Sequence, residues 1–381
     1  MSCCIRFGFF ALLAAGLTSS GVAAEPNKGY AAVELYEVDS DFDLQGEYYG
    51  QLDSGAGIPW HTVGLQIFAK GNGQFEGYEF SGGLPGSGAW GPKTKLRGFR
   101  QGDAVYMRSN SSDHTFILEN GTALAFYPNW EPMGQITRVL RQSPTLGLNP
   151  VWGSRILFDG TDARHFKDGK ITYDGLLKTG TELNYTYEDY TLHIEFQLPY
   201  MPYARGQGRA NSGVYLQSRY EVQILDSFGL DGVDNEAGAL YKYKAPDVNM
   251  CLPPLSWQTY DIDFTAPRFD SLGNKLNSAR VTVRLNGVIV QNNVEIHRKT
   301  GGGAEETAEL LPIKLQHHGN PVRFRNIWIV DRRETSTYAG PTVQSRANSP
   351  IGAPYRQQLF GQQPYPQGPF ETEGYQYRWG L

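Results

Sequence analysis

Cysteine is scarce, with three residues in 381, and two of them, Cys3 and Cys4, fall at the very start of the chain. Charge is also thin: 19% of residues are Asp, Glu, Lys or Arg, and the net charge of -5 carries no basic block. Such a balance argues against nucleic acid as a partner. Long apolar runs are missing apart from Phe7 to Leu17, which is too short to anchor stably in a bilayer. There is no phosphate-binding Gly-rich loop, no dinucleotide fingerprint and no Gly-x-Ser-x-Gly elbow. Helical periodicity is scarce as well. What the chain does hold is Gly 45, Tyr 23 and Phe 19, a mixture that suits many short strands joined by turns.

Residues 1–24 read as a secretory signal, with Arg6 as the positive region, Phe7 to Leu17 as the apolar core and Val22-Ala23-Ala24 as the cleavage site. The expectation is an exported protein, periplasmic or extracellular, starting at Glu25 and making no membrane contact after cleavage. Cys251 is then its one cysteine, so an internal disulfide is excluded and a hydrophobic core must supply the stability.

Residues 25–150 form a first region, a small β-domain and linker. Val63 to Ala69 and Gln74 to Phe80 are strands around the tight turn Gly71-Asn72-Gly73, and further short strands follow at Ala104 to Arg108, Thr115 to Leu118, Ala123 to Tyr127 and Gln135 to Leu140. Their spacing predicts a β-meander. Ser143 to Pro150 has the Pro/Gly texture of a linker.

Residues 151–332 alternate more cleanly. Leu192, Ile194, Phe196 and Leu198 point one way, and Thr191, His193, Glu195 and Gln197 the other. Tyr220 to Leu225 behaves likewise, with Glu221 and Gln223 on its polar side. Asn286-Gly287 marks a hairpin, and a parity shift near Asn326 predicts a bulge. Without βαβ periodicity, the pattern specifies an all-β antiparallel sandwich. Residues 333–381 turn rich in Pro, Gln and Tyr and lack apolar periodicity, so a disordered tail is expected.

The polar sides of these strands carry Asn, Tyr, Gln, Arg and Glu, groups that grip sugar hydroxyls. Glu221, on a strand beside Gln223, is the leading catalytic candidate, since burial among aromatic residues would raise its pKa. Glu195 and His318 are the other candidate acids or bases, and His318 shares parity with Gln316. Asn211, Tyr215, Arg219, Gln223, Tyr241 and Gln316 are candidate sugar contacts. No cofactor motif is present. Asp226 is a metal candidate, through oxygen ligation of calcium, magnesium or manganese, against the alternative of a turn cap.

The second region resembles the 3-keto-disaccharide hydrolase domain family, a concanavalin A-like (jelly-roll) sandwich. The segments that carry the likeness include Leu157-Phe-Asp-Gly160, Tyr190-Thr-Leu-His-Ile-Glu-Phe196, Asn211-Ser-Gly-Val-Tyr215, Tyr220-Glu-Val-Gln-Ile-Leu-Asp-Ser227, Trp257-Gln-Thr-Tyr-Asp261 and Leu315-Gln-His-His-Gly319. The β-domain ahead of it is similar to one found in planctomycete-like proteins. The resemblance implies an oligosaccharide or glycoside substrate oxidised at C3, whose ketone acidifies the C2 proton. A base removes that proton, the C1 substituent leaves, and water adds back, giving net hydrolysis. The alternative on the same fold is a non-catalytic, lectin-like glycan-binding module. The chain departs from the family at His317, where Asp is usual, and at Gln217, where Arg is frequent.

Overall fold

The computed structural model describes residues 27–335 apart from 28, 54, 56–59, 110, 112 and 113. The expected signal segment, and the expected tail beyond its first three residues, lie outside the described residues.

Eight strands come first: β1 (Gly46–Leu52), β2 (His61–Gly71), β3 (Gln74–Ser81), β4 (Trp90–Gln101), β5 (Ala104–Ser109), β6 (Thr115–Glu119), β7 (Thr122–Phe126) and β8 (Pro132–Val139). Each pairs with the next, and β1 also pairs with β8 through Glu47–Val139, Tyr48–Arg138 and Tyr49–Thr137. The predicted meander is therefore closed into a barrel, which removes both exposed edges. Alternation sends Tyr48, Leu65, Ile67, Phe75, Leu96, Val105, Met107, Phe116, Leu118 and Ile136 into its interior. The β2–β3 turn needs left-handed backbone at Asn72 (φ 56) and Gly73 (φ 70), which Asn and Gly adopt readily.

The second region supplies β9 (Arg155–Phe158), β10 (Phe166–Lys167), β11 (Leu177–Lys178), β12 (Thr181–Thr186), β13 (Tyr190–Gln197), β14 (Ser212–Leu216), β15 (Tyr220–Ile224), β16 (Trp257–Thr265), β17 (Arg268–Phe269), β18 (Lys275–Asn277), β19 (Ala279–Leu285), β20 (Val288–Ile296), β21 (Pro312–Leu315) and β22 (Arg323–Asp331). One sheet has the order β10-β12-β21-β14-β15; the other has β11-β22-β13-β16-β19-β20, with β9 also on β22. Both are antiparallel. Leu192, Ile194 and Phe196 from one sheet meet Val214, Leu216, Val222 and Ile224 from the other in a shared core. Burying such a side chain contributes roughly 2 kcal/mol. Asn286 (φ 52) and Gly287 form the expected hairpin turn, and the bulge falls at Asn326 (φ 44), where the β13–β22 register shifts.

The barrel is tied to the sandwich at several points. Ala32 exchanges backbone hydrogen bonds with Tyr200, whose hydroxyl donates to Asp39 at 2.8 Å. Lys93 of β4 pairs with Asp231 at 2.7 Å, which fixes the acidic loop that follows β15. Where the barrel leads into the linker, Arg141 donates to the buried Glu47 at 2.6 Å and to the Pro85 carbonyl at 2.6 Å. Removing one member of a buried pair strands the other charge, at roughly 3–5 kcal/mol. Arg141 keeps some solvent contact, so Arg141→Ala should lower stability by about 2 kcal/mol. Urea unfolding at neutral pH measures this, and an unchanged midpoint would show that water replaces the arginine.

Candidate functional site

The inner faces of β14, β15 and β21 belong to the core, so their alternate residues project from the outer face of the smaller sheet. Register then sets them side by side. Tyr215 is paired with Glu221 of β15 on one side and Lys314 of β21 on the other. The Tyr215 hydroxyl donates to Glu221 Oε2 at 2.8 Å and accepts from Gln316 Nε2 at 3.3 Å. The Lys314 ammonium stands 5.7 Å from the Tyr215 ring centroid. Glu221 folds back over Gly213, where a Cβ would come within 2.4 Å of its Oε1. The segment around Thr300 covers the far side: Thr300 Oγ1 accepts from the Glu221 amide at 2.8 Å, and the Tyr241 amide donates to the Glu221 carbonyl at 3.1 Å.

Glu221 is thus only 2% exposed and forms no salt bridge among the described residues. Burial pushes its pKa from the ordinary 4.5 up to about 7, against the lowering effects of the Tyr215 hydrogen bond and the Lys314 charge. Burial, then the neighbouring Glu221 charge, raises Tyr215, which stays a neutral donor.

Amide groups line the adjoining end of this face. Asn211 Nδ2 donates to the Gln207 carbonyl at 2.8 Å, and Gln223 Nε2 donates to Gln207 Oε1 at 3.0 Å. Asn211 Oδ1 and Gln316 Oε1 are buried without a partner among the described residues. A buried acceptor left unpaired costs about 1–3 kcal/mol, so each of these oxygens needs a donor from water or a ligand.

Three expectations fail here, for Glu195, His318 and Arg219. Glu195 does not share a site with Glu221: its strand, β13, lies in the other sheet, and with Ile194 and Phe196 in the core it projects from the opposite side of the sandwich. There it accepts from the Gly147 amide, Asn326 Nδ2 at 2.9 Å and Arg325 Nε at 2.7 Å, pinning the linker against the sheet. Burial opposes its ionisation, but hydrogen bonds from His193, Asn326, Arg325 and Gly147 outweigh burial and hold it at about 2. His318 is exposed on the loop after β21, because the strand ends at Leu315 and alternation stops with it. Arg219 is buried and donates to the Glu305 carbonyl, Thr307, the Glu309 carbonyl and Gln217, so it fastens a loop and has no donor aimed at the site. Asp226 pairs with Arg209 at 2.7 Å and caps the Phe228 amide at 3.2 Å, the turn cap weighed above against metal ligation. Among the described residues no group of three or more His, Cys, Asp or Glu is placed to hold a metal ion. Gln217, finally, lies off the sheet face, in the β14–β15 turn with φ 48, donating to the Tyr187 carbonyl at 3.0 Å.

Lys314, Gln207 and Gly213 are the neighbours that sequence patterning left unnamed. Lys314 was legible, since Ile313-Lys314-Leu315-Gln316 alternates and places it with Gln316.

An antiparallel sandwich with a buried carboxyl, a phenol and amides on one sheet face has the form of a carbohydrate-active protein. Residues 153–330 match the family described as the 3-keto-alpha-glucoside-1,2-lyase-like domain, and the chain belongs to that family. Three crystal structures, each of a "putative glycosyl hydrolase" from Parabacteroides distasonis ATCC 8503, are similar to it. The first is 33% identical, over 47% of this chain and 84% of that chain, with a TM-score of 0.44. The others are 17% identical (47% and 94% covered, TM-score 0.33) and 22% identical (46% and 98% covered, TM-score 0.33). No curated protein matches the chain.

Because Glu195 ionises more readily in the folded state than at its ordinary 4.5, its contribution is complete above pH 4.5 and is lost as pH falls through about 2. Glu195→Gln should therefore cost about 3 kcal/mol at neutral pH, with the gap from wild type narrowing in acid. Urea titrations at pH 7 and pH 3 compare the two, and a gap independent of pH would show that the carboxylate charge is not what stabilises the linker.

Proposed function

We propose that this protein cleaves glycosides carrying a ketone at C3, with Glu221 as the base. The observation that supports this most directly is a carboxyl buried without a cationic partner, titrating at about 7, beside two unpartnered amide oxygens. Such a group is protonated and ionised in similar amounts at neutral pH, the condition under which one residue can both take and return a proton.

In this reading Glu221 Oε1 takes the proton from C2 of the sugar, and the electrons of that C–H bond form the enolate of the C3 ketone. Lys314 supplies positive charge for the enolate oxygen, and the Tyr215 hydroxyl, bonded to Oε2, fixes the carboxylate so that Oε1 faces the substrate. The enolate collapses: the C3 carbonyl re-forms, C1 and C2 become doubly bonded, and the C1–oxygen bond breaks. Protonated Glu221 returns its proton to the departing oxygen. Water added at C1 gives the free 3-keto sugar, so elimination followed by hydration is hydrolysis in sum. Asn211 Oδ1 and Gln316 Oε1 accept hydrogen bonds from sugar hydroxyls, with Gln223 acting through Gln207 to hold Asn211 in place. Export completes the reading, resting on the Phe7 to Leu17 run and Val22-Ala23-Ala24.

The test is release of free sugar from a panel of 3-keto-glucosides. Turnover should rise with pH through about 7 as Glu221 ionises. Glu221→Gln should lower kcat by about 10²–10⁴-fold, the range for loss of a general base. The same variant should be more stable than wild type above pH 7: folding favours the protonated form, so wild-type stability declines as pH rises from 4.5 through about 7, by up to about 3 kcal/mol. Unchanged turnover in Glu221→Gln would remove it from the mechanism.

Gly213→Ala provides a second check. Its Cβ would occupy the space of Glu221 Oε1, so kcat should fall about 10²-fold through misplacement of the base, with the far-UV spectrum preserved. A variant as active as wild type would mean that the carboxylate works from another rotamer.

A further inference from the structure

The family domain begins at residue 153, yet one wall of a large groove comes from residues 29–37, ahead of the barrel. The groove measures about 1040 Å³. Small-ligand sites usually span about 300–1,000 Å³, so this one has room beyond a single sugar ring. Its other wall is the β10–β11 loop and the turn after β21, where His317 and Asn320 line it.

Three features make this groove a built site. First, its N-terminal wall is clamped. Arg323, 6% exposed, donates to Glu34 and to Asp174 at 2.8 and 2.9 Å, and to the Val33 carbonyl, joining the segment to the sandwich. Second, two aromatic rings stand open to solvent on the two walls: Tyr36 on the segment and Tyr173 on the β10–β11 loop, 80% and 89% exposed. Large rings left in water on a clamped frame are suited to stacking on the apolar faces of sugars. Third, a hydrogen bond ties the groove's lining to the amide end of the site. Asn320, on its lining, accepts from the Asn211 amide at 2.8 Å, and Gly208 borders it beside Gln207.

We propose that this groove binds further sugar residues of an extended glycan, with Tyr36 and Tyr173 as the stacking surface, so that the preferred substrate is an oligosaccharide instead of a simple glycoside. The inference builds on the function proposed for Glu221, and the N-terminal segment becomes part of substrate recognition. The position of His317, hydrogen-bonded to Thr179 at 3.2 Å and lining the groove, fits the same use.

Binding of the unoxidised tetrasaccharides cellotetraose, maltotetraose and laminaritetraose, and of methyl glucoside, is measured by calorimetry on the full chain and on a Tyr36→Ala/Tyr173→Ala variant. At least one tetrasaccharide should bind wild type, and the variant should bind it at least tenfold more weakly. Turnover of a methyl 3-keto-glucoside should be equal in both proteins. Wild type that binds no tetrasaccharide, or a variant that binds as well as wild type, overturns the proposal. Tyr-dependent binding without turnover of any 3-keto substrate would uphold the groove and sink the catalytic reading. Turnover without such binding would do the reverse.

Discussion

A strand has two faces, and in a sandwich one of them must meet the other sheet. That constraint distributes the chemistry of this protein. Ile194 and Phe196 in β13, and Val222 and Ile224 in β15, are drawn to the common core, so Glu195 and Glu221 are driven outwards in opposite directions. Each is then buried by something other than the core. Glu195 is covered by the linker and ringed by donors; Glu221 is covered by the Thr300 segment and given one phenol. Two chemically similar carboxyls in strands of similar pattern end about five pH units apart because of what lies over them.

The contrast also separates the two jobs. A carboxylate supplied with several donors is stabilised as an anion and serves as an attachment point. One deprived of them is held near the balance of its two forms, at a cost to stability that a proton-transfer role can justify. The charged anchors of the linker and barrel, Glu195 with Arg325 and Glu47 with Arg141, are made without Glu221.

Much of this could be read from the chain. The alternation of Tyr190 to Leu198 and of Tyr220 to Leu225 gave strands and faces, and Asn286-Gly287 and Asn72-Gly73 gave hairpins, because these signals are local. Strand β4 was missed: Trp90-Gly-Pro-Lys-Thr-Lys-Leu-Arg-Gly-Phe-Arg-Gln buries only Leu96 well and has no clean alternation. Barrel closure was not legible either, since it depends on pairing residues 47–49 with residues 137–139. At the site, residue type named Glu221, Tyr215 and Gln316, while parity joined Glu221 only to Gln223. Parity erred wherever sheet order or strand end mattered: Glu195 was assigned across an unknown sheet order, and His318 was extrapolated past the last residue of β21. Arg219 was misjudged because its partners, in the 305–309 segment, lie far away in sequence.

The Arg323 clamp joins residues 289 positions apart. Contacts of that span carry a large loop-closure entropy and form late. Val33 and Glu34 must therefore wait for nearly the last described strand before they can settle. β22 has the same importance for the sandwich, pairing with β9, β11 and β13 at once. The barrel, whose strands are all neighbours in sequence apart from the β1–β8 seam, can close while the sandwich is still being made. Ribosome and chain order thus impose a schedule: the accessory domain matures first, the sandwich follows, and the groove wall is assembled at the end.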